Sequence, residues 1–427
     1  MNLHFSKLKN KFYSNQLVND SVWAIVGSLV LRGSGLVVGI FVANMLGAYD
    51  YGSYGALKNF VLSSSILSTL GLGYIATKFI AENKNDPSAL NRIISICNQV
   101  SFTGALLIAL LILFASDYVA ERMFKDIELS NAVKLCAVWL FLNALTTVQQ
   151  SYLYGFGRFL QLARINSVIG ILTFVITVAF TKIYGLLGSL IALVVIQFIN
   201  FVCNYWEIRK IKSEIKTLPP TGLRNISLLE LSKQFLPVTV NELVFAFFAW
   251  LSTYLLLHLS SYAELGIYSA AMQWFMVIIY IPGVLRNVVL SALSSDSVNR
   301  DLVVRRMLFV NIISSTAISL IVILCTSFFI KAYGEEFNTM KPVLIILSLT
   351  AIINSVANVY VQALLSSSYI WIVAIFRLVY DGLTSLLFVG LYSLHFWKGA
   401  FTMSLSLMIA TFFYTVLCYI FYRKYSR

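Results

Sequence analysis

Apolar residues run along this chain in blocks of about 20–25, separated by short polar breaks, and the blocks do not alternate as half-buried strands do. A helix rising 1.5 Å per residue needs about 20 residues to cross ~30 Å of hydrocarbon, and a barrel strand about half as many. The pattern therefore predicts membrane helices, each satisfying its own backbone hydrogen bonds. Twelve spans follow, at roughly 22–46, 53–80, 93–115, 131–154, 162–181, 185–206, 235–259, 265–293, 304–330, 342–365, 368–392 and 397–421.

The longest polar stretch after the N-terminus, EIRKIKSEIKTLPPTGLRNISLLELSKQ at 207–234, carries six basic residues and the Pro219–Pro220 pair. It falls between the sixth and seventh spans. The expected organisation is a polar N-terminal segment (1–21), a first lobe (22–206), a linker (207–234), a second lobe (235–421) and a short tail (422–427). Six spans per lobe give both lobes the same orientation, as parallel repeats about an axis along the membrane normal.

A short pattern supports the repeat. AYDYGSYGA (48–56) and YAELGIYSA (262–270) share an acid (Asp50, Glu264), then Gly52 and Gly266, Tyr54 and Tyr268, Ala56 and Ala270. Each copy lies between the first and second helix of its half. The expectation is a duplicated corner in which the Gly permits a tight turn and the Tyr anchors at the interface.

Composition agrees with the span pattern. The chain is 59% hydrophobic and 11% charged, too little polar surface to cover a soluble fold of 427 residues. Mean hydropathy is +0.83. The first apolar block is too long for a signal-peptide core and no small-residue cleavage site stands out, so it is read as a retained span.

Charge sets the orientation. With the N-terminus cytoplasmic, and bases within four positions of a span end counted with the adjoining segment, the inner segments carry 20 of the 31 Lys and Arg, the outer segments 7, and 4 lie deeper inside spans. Both termini are then cytoplasmic and both copies of the repeated pattern face outward. The net charge of +13 reads as topology rather than nucleic-acid binding, since no aromatic–basic motif accompanies it. The five cysteines are scattered singly and the three histidines form no cluster, so neither a metal nor a disulfide framework is indicated.

Ionisable groups at bilayer depth cost about 2.5–3.5 kcal/mol and so mark bundle interiors or wet cavities. The candidates are Arg32, Lys58, Glu242, Arg286, Arg377 and Asp381. Arg32 lies about ten residues from the inner end, roughly 15 Å deep. Its neighbours Gly33, Gly35 and Gly39 either pack helices, leaving Arg32 to a local acid, or open a cavity in which Arg32 binds an anion. Glu242 and Arg286 fall at similar depth on consecutive helices, as a structural pair or as a substrate or gating site. Pro282, four residues before Arg286, should kink its helix. Arg377 and Asp381, spaced i, i+4, are expected to neutralise one another. Lys58 lies near an outer end, within snorkelling reach of the headgroups. Four bases against two acids suit an anionic ligand such as a pyrophosphate.

GxxxxGK[ST], GxSxG and HExxH are all absent, which argues against direct ATP use and hydrolase chemistry. No outer loop exceeds about 20 residues, leaving little room for a catalytic domain.

LGAYDYGSYGAL, LGLGYIATKFIAENKND and YLYGFGRFLQLARINSVIGI in the first half, with FLPVTVNELVFAFFAWLSTYLLL and ELGIYSAAMQWFMVIIYIPGVL in the second, resemble the polysaccharide-unit (O-antigen) flippases of the multidrug/oligosaccharidyl-lipid/polysaccharide exporter superfamily. The likeness runs over nearly the whole chain. It implies an all-α integral membrane fold with two six-helix lobes around a central cavity, working by alternating access. The implied substrate is an oligosaccharide on undecaprenyl pyrophosphate, flipped to the outer leaflet of the bacterial inner membrane. No cofactor is implied beyond Na+ or H+ as coupling ion. Membrane lipids, a polymerase and a chain-length regulator are the implied partners. Arg32, Arg286, Lys58 and Arg377 would meet the pyrophosphate, and Glu242, Asp381 and Pro282 would serve coupling or gating. Two departures stand out: Asn44 replaces a basic residue frequent before the LG motif, and SALSSD stands where a proline often follows span eight. A cation-coupled multidrug exporter of the same superfamily is the alternative, and a membrane-embedded O-antigen polymerase a more distant one.

Overall fold

A computed structural model describes residues 2–69, 71–84, 86–216, 228–284, 300–366, 369–395 and 397–425. Among the described residues every regular element is helical. In chain order these are α1 (Asn2–Thr69), α2 (Leu72–Glu82), α3 (Pro87–Phe114), α4 (Ser116–Met123), α5 (Ser130–Phe156), α6 (Phe159–Lys216) and α7 (Leu228–Leu259). They continue with α8 (Tyr262–Ile278), α9 (Arg300–Leu324), α10 (Thr326–Tyr333), α11 (Met340–Ser366), α12 (Ile370–Tyr392) and α13 (Gly399–Tyr425).

Nine described helical segments are long and apolar enough to cross a membrane. Two of them run 41 and 55 residues, about twice the length one crossing requires. Each contains a single residue with non-helical backbone, Gly47 (φ 75°) and Gly185 (φ 56°). Positive φ is strained for a residue with a Cβ, so glycine is what allows one residue to divide the two crossings. Gly47 directly follows the expected span 22–46, and Gly185 is the first residue of the expected span 185–206. The protein is a multi-pass, all-α membrane protein.

Local signals account for several ends. Asp86 caps α3, its Oδ1 accepting from the backbone N–H of Ser88 (3.0 Å) and Ala89 (3.1 Å), with Pro87 at the first helical position. Gly157, at φ 73°, closes α5 with the paired backbone bonds of a left-handed cap. Ser261 Oγ accepts from Glu264 N at 3.2 Å and so starts α8. Pro282 has no N–H to give the Ile278 carbonyl; α8 breaks after Ile278 and helix resumes at Tyr280, the kink expected of a proline.

The described contacts group the chain into two compact units. Unit one comprises Met1–Val38, Ser64–Ala120 and Glu128–Leu236. Its apolar core joins α2, α3 and α5 through Ile75, Ile80, Leu90, Ile93 and Tyr152. Gly104 and Gly155 bring helices close here: a Cβ at Gly104 would stand 2.5 Å from the Ser68 carbonyl oxygen, and one at Gly155 2.8 Å from Ile80 Cβ. Unit two comprises Gly39–Ser63, Glu121–Ile127 and Pro237–Arg427. Its core runs along α11, α12 and α13 through Ala357, Leu364, Tyr380, Ala410 and Tyr414. The chain of α1 thus passes into unit two at Gly39 and leaves it after Ser63.

Candidate functional site

In unit one, α1 packs on α6 through one face. A Cβ on Gly27 would stand 2.6 Å from Ala163 Cα, and one on Gly170 2.9 Å from Ser34 Oγ. Gly27 and Ser34 are seven residues apart and share that face. At about 100° per residue, Arg32 and Gly33 point well away from it. Arg32 is exposed, and a Cβ on Gly33 or Gly35 would meet nothing within 4 Å among the described residues. Those two glycines therefore do not pack helices, whereas Gly39, whose Cβ would stand 2.5 Å from Gln273 Nε2, does. The Arg32 charge reaches the hydroxyl of Tyr154 on α5.

In unit two, Arg377 Nε donates to Asp381 Oδ2 at 2.6 Å across one turn of α12. Asp381 is buried and the Arg377 side chain 31% exposed, so the carboxylate is the partner more dependent on the bond. The guanidinium also lies over the rings of Phe245 on α7 (5.0 Å) and Tyr380 (5.3 Å). The Tyr380 hydroxyl in turn accepts from Thr411 Oγ1 of α13 at 3.4 Å. The mutual neutralisation expected from the i, i+4 spacing is what the geometry has. Phe245 and Thr411 join it from helices that spacing could not reveal.

Lys58 is half-buried, with Nζ 5.7 Å from the centroid of the Tyr54 ring one turn earlier. Glu242 is half-buried on α7, and Pro282 is buried. Arg286 lies outside the described residues, and with it the expected Glu242–Arg286 pair.

The repeated pattern takes a different role from the one expected. Gly52 and Gly266 do not turn the chain; both are helical, and the turn belongs to Gly47. The two copies instead pack on one another within unit two. A Cβ on Gly52 would collide with the Tyr262 carbonyl oxygen and lie 3.0 Å from Gly266 N; a Cβ on Gly266 would collide with the Ala48 carbonyl oxygen and lie 3.0 Å from Gly52 N. The relation is reciprocal. Tyr51 and Tyr54 are buried rather than set at an interface, and Tyr49 stacks obliquely on Tyr262 at 5.0 Å.

Polar contacts that the sequence alone did not single out surround this crossing. Ala48 N donates to Glu336 Oε2 at 2.6 Å, capping the helix that resumes after Gly47. Asn59 Nδ2 donates to the Ala249 carbonyl at 2.9 Å and to Thr253 Oγ1. Gln273 Nε2 donates to Tyr51 Oη, and Tyr262 Oη to the Phe124 carbonyl. Lys125 Nζ reaches the His258 carbonyl at 3.1 Å. Each of these bonds joins the first sequence half to the second within unit two.

The polysaccharide biosynthesis protein family matches residues 17–290, more than half of the chain. The chain belongs to the polysaccharide biosynthesis protein family. Among curated relatives, the lipid III flippases of Escherichia coli (strain K12) and Shigella flexneri are each 24% identical over 186 residues, 42% of this chain and 43% of the relative. The match thus spans less than half the length of those relatives. Among solved structures, an inward-facing multidrug resistance MATE family transporter of the MOP superfamily has a TM-score of 0.77 at 14% identity, covering 94% of this chain and 98% of the other. An outward-facing structure of such a transporter has a TM-score of 0.66 at 13% identity, covering 96% and 95%. This polysaccharide biosynthesis protein therefore has the fold of MATE transporters.

Proposed function

We propose that this polysaccharide biosynthesis protein is a flippase that carries an undecaprenyl-pyrophosphate-linked oligosaccharide, an O-antigen repeat unit, from the cytoplasmic to the outer leaflet of the bacterial inner membrane. The observation that carries the reading is Arg32. It is exposed on a helix face opened by Gly33 and Gly35, and the span pattern puts it roughly 15 Å from the inner end of its span. A group with that charge at that depth is stable against water or an anion and costly against lipid tails. The family match and the likeness to lipid III flippases support a lipid-linked glycan as the anion's bearer.

Transport is by alternating access between lobes 22–206 and 235–421, both termini cytoplasmic, with Arg32, Lys58, Arg286 and Arg377 facing the pyrophosphate. Glu242, Asp381 and Pro282 serve coupling to a Na+ or H+ gradient. In this scheme the Gly52–Gly266 crossing parts each time substrate leaves outward. A polymerase and a chain-length regulator take the product. Deleting the gene should leave the undecaprenyl-linked unit facing the cytoplasm. Normal outward exposure in a deletion strain lacking other flippases overturns the proposal.

The MATE fold favours a second reading, a cation-coupled drug exporter. Drug susceptibility of the same deletion strain separates the two, because a flippase defect changes surface glycan and an exporter defect changes drug tolerance.

A further inference from the structure

A second basic and aromatic constellation lies in unit two, built on residues other than the groups assigned above. A cavity of about 180 Å³ opens among α9, α11 and α13. Asp301 and Arg305 line it from the first turns of α9, Tyr360 from α11, and Tyr419, Tyr422 and Arg423 from the last turns of α13. These are the helix ends that the Lys and Arg distribution assigns to the cytoplasmic side.

The walls are built rather than incidental. Tyr422 Oη donates to Asp301 Oδ1 at 2.8 Å, tying the start of α9 to the end of α13. The Tyr360 ring stands 5.5 Å from that of Tyr419 and 5.6 Å from that of Tyr422, within the range of favourable aromatic pairs. Arg300 Nη2 donates to Ser366 Oγ at 2.8 Å, fixing the start of α9 against the end of α11. The single carboxylate is engaged by Tyr422, while the side chains of Arg305 and Arg423 are exposed on the rim.

Two forked guanidiniums against one engaged carboxylate give the cavity a net positive charge suited to bidentate phosphate contacts. Tyrosines at a span end sit where lipid headgroups begin. Basic pockets between membrane helices on the cytoplasmic side are suited to lipid headgroups. We propose that this cavity binds the phosphate headgroup of an inner-leaflet lipid. The bearer is either a bulk anionic phospholipid or a polyprenyl phosphate, and the phosphate chemistry is shared.

The test is lipid binding to the purified full chain in mild detergent, followed by native mass spectrometry. The probes are dioleoylphosphatidylglycerol, undecaprenyl phosphate and, as zwitterionic control, dioleoylphosphatidylethanolamine. The Arg305→Gln/Arg423→Gln variant should bind the anionic probes about thirtyfold more weakly, and each single variant should show part of that loss. Arg305→Lys should retain part of the affinity, since the charge remains and the fork is lost. A control variant, Arg209→Gln/Lys210→Gln, removes the same charge from another basic, Trp206-lined surface and should bind as wild type does. Tighter binding of undecaprenyl phosphate assigns the site to the carrier, and tighter binding of phosphatidylglycerol assigns it to bulk lipid; either supports a phosphate site. Undiminished binding by the double variant, or by the singles if the double fails to insert, overturns it. An equal loss in the control also overturns it. The readout is binding, so failure here is distinguishable from failure of the flippase reading.

Discussion

The backbone nitrogen of Gly52 lies so close to Gly266 that a Cβ on the second would stand 3.0 Å from it, and the same holds with the two exchanged. These are equivalent positions of a pattern written once in each half of the chain. The absence of both side chains lets two helix starts cross backbone to backbone, as small residues do wherever membrane helices pack closely.

A crossing this tight can be locked. A Cβ on Gly55 would stand 3.3 Å from Ser269 Cβ, slightly inside the usual disulfide separation. A Gly55→Cys/Ser269→Cys pair should therefore oxidise readily and stop transport, with activity returning on reduction. Full transport by the crosslinked protein would show that the crossing does not part.

It can also be forced open. Gly52→Val places branched carbons on the Tyr262 carbonyl. Labelling of a Ser269→Cys reporter by a membrane-impermeant maleimide should rise severalfold in this background, while Gly33→Val, where open space receives the side chain, should leave it unchanged.

Arg32→Ala should abolish flipping at normal insertion levels, and Arg32→Lys should keep part of it if positive charge rather than fork geometry is what the substrate needs. Wild-type flipping by Arg32→Ala removes the guanidinium from the mechanism. The measurement is outward exposure of the lipid-linked unit.

Arg377→Ala strands the buried Asp381 carboxylate and should lower stability by about 3 kcal/mol, the lower end for a broken buried pair because Arg377 is partly wet. Arg377→Met/Asp381→Asn should recover most of the thermal midpoint. If the double variant recovers flipping as well, the pair is structural; if it recovers only the midpoint, the charges serve transport.

Removing the acceptor at the outer corner is milder. Glu336→Ala leaves Ala48 N–H without its carboxylate and should cost about 1 kcal/mol, as loss of a helix cap does. Glu336→Gln, which keeps an acceptor oxygen, should cost less. Thermal unfolding of the two variants in detergent reads the difference.

Much of this was legible in the chain. The breaks near 47 and 185 could be placed because a hydrocarbon slab fixes how long an apolar run must be. Pro282 announced the kink after Ile278 for an equally local reason, a missing N–H. The i, i+4 spacing foretold the Arg377–Asp381 bond, since one turn of helix brings those side chains together whatever surrounds them.

Contacts between distant segments were not legible. Gly52 read as a turn residue because glycine has two uses, positive φ and close approach, and sequence does not say which is needed. Only the packed structure gave the turn to Gly47 and the approach to Gly52. Likewise the glycines beside Arg32 matched both a packing stripe and an open face until Ala163 and Ser34 fixed which side of α1 meets α6. Phe245 beside Arg377 and Glu336 on Ala48 lie 132 and 288 positions away in the chain, so no periodicity within one helix could pair them. Sequence by itself determined that the chain crosses hydrocarbon repeatedly and as helices, because every apolar run must satisfy the bilayer on its own. Tertiary structure decided which face of each crossing is covered, because that depends on which distant helix arrives against it.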